Sequence, residues 1–159
     1  MPQSAIDQQL AEPADQNAIT VDCVAEMVED LFTTMLAMDF DATPQEACKI
    51  NESDLLASVR IDGDRSASVF IYTSPELASC IAASMFGQEL EELEQSDVLD
   101  ALGEVVNVIG GNVKGILNQE CSLSLPCVGN SEGICPEGDL CVAFAHEGQS
   151  ITVIVQDRS

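Results

Sequence analysis

The chain predicts an α+β domain: two long helices and a shorter one packed on a largely antiparallel six-stranded sheet. Three observations lead there. Apolar residues recur every three or four positions from Val21 to Met38 and from Asp97 to Asn118, short runs elsewhere alternate with period two, and turn residues join neighbouring runs. The order is helix, three strands, helix, long helix, three strands, which leaves the helices to cover one face of a sheet. A length of 159 residues suits one well-cored domain and is short for two.

Residues 1–19 are polar, proline-containing and without apolar periodicity, so a mobile tail is expected there, with the folded domain over 20–157. Thr20 can cap the first helix, whose apolar positions are Val21, Val24, Val28, Leu31 and Met35, while Glu26, Glu29 and Asp30 form a solvated face. From Ala42 to Thr73 three strands follow, marked by Glu46, Cys48 and Ile50, by Leu56, Ser58 and Arg60, and by Val69, Ile71 and Thr73. Asn51 to Ser53 turns the first pair. Asp62-Gly63 turns the second, because glycine accepts the positive φ of a tight hairpin.

Ser74-Pro75-Glu76 opens the shorter helix, with serine as cap and proline at the first position. It carries Leu77, Cys80, Ile81, Ser84 and Met85 and stops at Gly87. The acidic linker QELEELEQS leads to the central helix, Asp97 to Asn118, capped by Ser96 or Asp97. CSLSLPCV, DLCVAFAH and SITVIVQ are the last three strands, separated by a glycine-rich loop, Gly129 to Gly138, and by the hairpin turn Glu147-Gly148.

At about 100° per residue, Val98, Leu102, Val105, Ile109, Val113 and Ile116 share one arc of the central helix and face the core. Asp100, Glu104, Asn107, Gly111, Lys114 and Asn118 lie about half a turn away. That face needs another explanation. Gly103, Gly110, Gly111 and Gly115 each cost about 1 kcal/mol relative to alanine in a helix. For Gly110-Gly111 a kink and the close approach of another backbone are equally open, and Gly103, beside Asn107 on the wheel, suits close approach of a partner.

A formal charge of −23, from 28 acidic and 5 basic residues, argues against nucleic acid or an anionic membrane as partner, since either is bound through clustered Lys and Arg. A protein with a basic or metal-bearing site fits better, although acidity that only maintains solubility fits as well. Neither a signal peptide nor a membrane span is indicated, and the expected location is the cytoplasm. The seven cysteines are odd in number and mostly set in apolar segments, and are read as reduced, small hydrophobes. With no CxxC pair, a metal centre of the chain's own is not expected. His146, the lone histidine, falls at a turn and is read as incidental.

Nucleophile-dependent enzyme classes are poorly served, since GxSxG, Walker and HExxH patterns are all missing. Glu104 and Asn107, three residues apart, occupy adjacent turns of one face, with Asp100 a turn earlier. A carboxylate can pair with a partner's ammonium, and a carboxamide can hold a water against a phosphoryl group that another protein supplies. Phosphoryl transfer asks little of a catalyst beyond alignment and charge stabilisation.

The stretch MFGQELEELEQSDVLDALGEVVNVIGGNVKGIL resembles the CheX branch of the CheC, CheX and FliY family of chemotaxis phosphatases. Asp100, Glu104 and Asn107 match the family's Asp/Ser, three residues, Glu, two residues, Asn pattern, and Gly111, Asn112 and Lys114 follow it. The looser likeness runs from about Thr20 to Val155. The resemblance implies a catalyst that removes the aspartyl phosphate of a CheY-type receiver domain. Asn107 would orient the attacking water and Glu104 would pair with the receiver's lysine, with Asp100, Gly103, Gly111 and Lys114 as further partner contacts.

Mg²⁺ would come with the phosphorylated receiver, so the chain needs no cofactor of its own. A second site, carried on the first helix of CheC-type relatives, is not expected, since that stretch offers Glu26 and Glu29 without an asparagine. Pro126 follows the motif sooner than the family's proline does, which leaves the start of the next strand open. CheX-like proteins also tend to dimerise through their sheets, which makes a homodimer an expectation. Two alternatives remain at this stage: a non-catalytic receiver-binding adaptor, and an assembly domain related to flagellar-switch components.

Overall fold

The computed structural model describes residues 18–38, 41–43, 50–117, 120–132 and 140–158. Thr20 caps the first helix as expected: its Oγ1 accepts the Cys23 N–H at 3.1 Å, and helix α1, Val21–Asp30, runs on into one π turn, Leu31–Met35. Val24, Val28, Leu31 and Phe32 are its buried positions. Val21 and Met35, read as part of that stripe, are exposed instead, because they sit at the ends of the segment, beyond what the sheet covers. The expected tail lies almost wholly outside the described residues.

Seven strand segments form one antiparallel sheet: β1 (Asp41–Thr43), β2 (Leu55–Gly63), β3 (Ala67–Thr73), β4 (Cys121–Leu123), β5 (Cys127–Asn130), β6 (Leu140–His146) and β7 (Gln149–Asp157). They fill six positions, β1-β6-β7-β3-β2, with β4 and β5 sharing the outer edge of β2. Alternation assigns the faces. Leu55, Ala57, Val59 and Ile61 of β2, Val69 and Ile71 of β3, and Val153 and Val155 of β7 belong to the main core.

The strand placed at Glu46 to Ile50 falls mostly on residues 44–49, outside the described residues; Ile50 is described and is not in a strand, and the three-residue β1 precedes that stretch. The run CSLSLPCV is interrupted. Leu123 pairs with Ile61 and Cys127 with Ser58, so three residues of the edge stand opposite two of β2. One extra residue in an outer strand is a β-bulge, and the proline in it has no N–H to lose from the ladder. The Ser124 N–H donates to Arg60 O and the Arg60 N–H to Ser124 Oγ, both at 2.9 Å, which holds the bulge against β2.

Gly63 has a different reason from the one expected. It continues β2 and has no positive φ, so the β2–β3 reversal falls at 64–66. A Cβ on Gly63 would lie 2.5 Å from Glu120 O and 2.9 Å from Cys121 Cα; glycine is required there by the closeness of β4. Asp62 beside it accepts hydrogen bonds from Arg158 and Arg60, each at 3.2 Å, and these guanidinium groups hold its carboxyl below the usual carboxylate range. The Glu147-Gly148 turn is as expected, with φ of 48° and 82°, the doubly positive geometry of a tight hairpin.

Helix α2, Pro75–Phe86, begins and ends on the residues that signalled it. Gly87 takes φ 64° as a left-handed cap, and Ser74 Oγ accepts the Leu77 N–H at 3.1 Å while donating to Gln149 Oε1 at 2.6 Å. Ser74→Ala removes both bonds. A loss of about 1 kcal/mol is expected, read as a lower urea midpoint with unchanged m-value.

Helix α3, Gln95–Leu117, starts two residues before the expected position. Asp97 does not cap it; from inside the first turn its carboxylate accepts the Glu94 N–H at 3.0 Å, and Glu94 O takes the first helical bonds. Asn118 lies outside the described residues. Val98, Leu102, Val105, Ile109 and Val113 are buried as expected, joined by Ala101, Val106 and Leu117, whereas Ile116 is only half-buried.

The glycines of α3 separate cleanly. A Cβ on Gly110 would lie 2.6 Å from Val59 Cγ2 and 3.1 Å from Leu123 Cδ1, so here the helix rests on the sheet, whereas Gly111 and Gly115 face open space. At Gly103 the close neighbour is the edge strand, with Pro126 Cγ 3.5 Å and Val128 Cγ2 3.7 Å from its would-be Cβ.

Reading all cysteines as reduced is corrected at Cys141, which is disulfide-bonded. Cys23, Cys80, Cys121 and Cys127 are free. Burial and pairing depend on what lies across space, which the apolar context of DLCVAFA does not reveal.

Candidate functional site: the outer face of helix α3

Contact with the sheet fixes one side of α3, and the 3.6-residue period then dictates the other. Asp100, Glu104 and Asn107 are exposed. None of the three makes a hydrogen bond or ion pair with another described residue. Apart from Lys114, the described Lys and Arg residues are paired, Arg60 and Arg158 with Asp62 and Arg65 with Asp157, so the expected patch is built from groups that the fold leaves unused.

Asp100, Gly103, Glu104 and Asn107 line one open groove of about 590 Å³. The rest of its lining is apolar: Leu99 of α3 itself, Phe86 from the end of α2, and Pro126 and Val128 from the bulged edge. The bulge carries Pro126 under Gly103, so the interruption in the edge strand is also what shapes the groove. Gly111 is exposed and Lys114 half-buried further along α3, and neither lines the groove.

The apolar wall is absent from the sequence expectations. Phe86 continues the buried row Ala78, Ala82 by one turn, so the wheel assigns it to the core; it is 41% exposed because α2 ends at Gly87. Pro126 carried a signal, its displacement from the family pattern, but nothing local tells where a bulge will aim it.

A second cavity, about 460 Å³, lies between α1 and α3 and is lined among others by Glu26, Asp30, Thr34 and Asn112. No Glu-x-x-Asn pair faces it. Among the described residues no cluster of three or more His, Cys, Asp or Glu is arranged to hold a metal ion, and no helix is long and apolar enough to cross a membrane.

Among the described residues, three α-helices on an antiparallel sheet, with an unpaired acid and amide one turn apart on the free side of the longest, define an α+β domain with an unpaired polar helix face. A family model described as Chemotaxis phosphatase CheX matches residues 55–145, more than half of the sequence. The chain belongs to that family. It is similar in structure to CheX of the CheX-CheY-BeF3-Mg²⁺ complex from Borrelia burgdorferi, with 18% identity and a TM-score of 0.74 over 87% of this chain and 97% of that one.

CheX from Vibrio vulnificus is 20% identical, with a TM-score of 0.68 over 88% and 98% of the two chains. FliY from Thermotoga maritima is 16% identical, with a TM-score of 0.55 over 89% and 92%. At these identities the likeness establishes the fold. No curated protein sequence matches the chain.

Proposed function

We propose that the chain hydrolyses the aspartyl phosphate of a CheY-type receiver domain. The observation that carries this reading is an unpaired carboxylate and carboxamide, Glu104 and Asn107, exposed together in one groove of a protein of the CheX family. Asn107 holds a water in line with the bond between phosphorus and the receiver's aspartate. As the water oxygen bonds to phosphorus the aspartyl P–O bond breaks, giving a free carboxylate and inorganic phosphate; the water's protons leave with the phosphate or pass to solvent.

Glu104 pairs with the receiver's lysine and fixes the docking, and Asp100, Gly103, Gly111 and Lys114 extend the contact along α3. Mg²⁺ belongs to the receiver substrate, in keeping with the composition of the Borrelia burgdorferi complex. The charge of −23 complements a basic docking surface and disfavours nucleic acid.

The reading is tested by phosphorylating candidate receivers from the same genome with a small phosphodonor and following decay with and without the chain. Faster decay supports hydrolysis; binding without faster decay leaves an adaptor. Glu104→Gln removes an exposed counter-charge, so receiver affinity is expected to fall by up to about fivefold and to depend less steeply on salt. Titration at two ionic strengths checks this, and unchanged affinity would remove Glu104 from the interface.

A further inference from the structure

The acid and amide supply geometry but little affinity. Exposed ion pairs contribute about 0–1 kcal/mol, and charged rims govern encounter rate and register more than residence. A partner held on α3 long enough to react needs apolar area, and within the groove that area comes from Phe86, Leu99, Pro126 and Val128. There the left-handed cap at Gly87 ends α2 and leaves the Phe86 ring at the rim. Gly103, which also lines the groove, packs against the edge, its would-be Cβ lying 3.5 Å from Pro126 Cγ and 3.7 Å from Val128 Cγ2.

We propose that Phe86 is a specificity residue, its ring seating an apolar side chain of the receiver domain that Glu104 and Asn107 engage. This rests on the function proposed above and names the second half of the same contact. The occupant is fixed by continuity: the apolar wall and the acid and amide wall belong to one cavity, so whatever docks on Glu104 also covers Phe86. Aromatic anchors beside a polar set are where binding energy concentrates in protein interfaces. A matching receiver presents a cationic and an apolar side chain within one groove width of each other, and a receiver lacking the apolar one is rejected.

The test uses the full chain, a receiver loaded with beryllofluoride for binding and the phosphorylated receiver for turnover. Phe86→Ala is expected to raise both the dissociation constant and KM about tenfold while the saturated rate changes less than twofold. Phe86→Leu restores most of the affinity, which shows that the fold is intact. Met35→Ala, an exposed apolar residue in the other cavity, leaves both values unchanged. If Phe86→Ala binds and turns over like the parent chain, or if Met35→Ala weakens binding equally, the assignment of Phe86 is overturned. A parent chain that binds without speeding decay overturns hydrolysis alone, and the loss of binding in Phe86→Ala then still supports the seat.

Discussion

Asn107→Ala is expected to slow receiver dephosphorylation by the chain on the order of 100-fold, because misplacing a reacting group by about 1 Å already costs that much. Binding should hardly change. The carboxamide makes no hydrogen bond or ion pair with another described residue, so its removal neither strands a partner nor opens a cavity. Asn107→Gln sharpens the test: it keeps the amide but carries it one methylene further, so an effect of position predicts a loss comparable to that of alanine. Single-turnover decay with the chain at saturation separates this from docking, which is measured against the beryllofluoride-loaded receiver. Should Asn107→Ala turn over at the parent rate, the water-positioning role is lost, and with it the reason to prefer a phosphatase over an adaptor.

The second large effect concerns two adjacent glycines. In a helix each Gly→Ala change gains about 1 kcal/mol from propensity, yet opposite outcomes are expected at 110 and 111. At Gly110 the new methyl would lie 2.6 Å from Val59 Cγ2, a branched side chain rooted in a buried strand with no free end to swing away. Overpacking costs about 1–3 kcal/mol and a contact this short belongs at the upper end, so Gly110→Ala should be destabilised by about 2 kcal/mol net of the propensity gain and should push α3 away from the sheet. Gly111→Ala meets nothing within 4 Å and should be stabilised by up to about 1 kcal/mol. Thermal unfolding should place the two melting points about 9 °C apart. Equal shifts would mean that α3 does not rest on β2 as described.

What the sequence made legible was decided by neighbours along the chain. Thr20, Ser74-Pro75 and Gly87 announce helix ends because capping is satisfied within three or four residues, and Glu147-Gly148 announces a hairpin because two positive φ angles are a local demand. The outer face of α3 was legible for the same reason, since the buried stripe from Val98 to Val113 fixes which way Asp100, Glu104 and Asn107 point. What stayed hidden was decided across space. Gly63 looks like a turn residue and is a point of close approach; Cys141 looks like a reduced core residue and is disulfide-bonded. The apolar half of the groove escaped because Phe86 and Pro126 are far apart in sequence and meet only when α2, α3 and the bulged edge come together.

That bulge has a further consequence. An outer strand broken by a proline and a register slip is a poor template for another chain, because the ladder of free N–H and C=O groups is interrupted where a continuous strand would need to zip. Leu125, 86% exposed on the bulge, would be a liability on a straight edge. Set beside Pro126 it lies on a margin that offers no continuous ladder to an added strand, so the device that shapes the groove also breaks up this edge of the sheet.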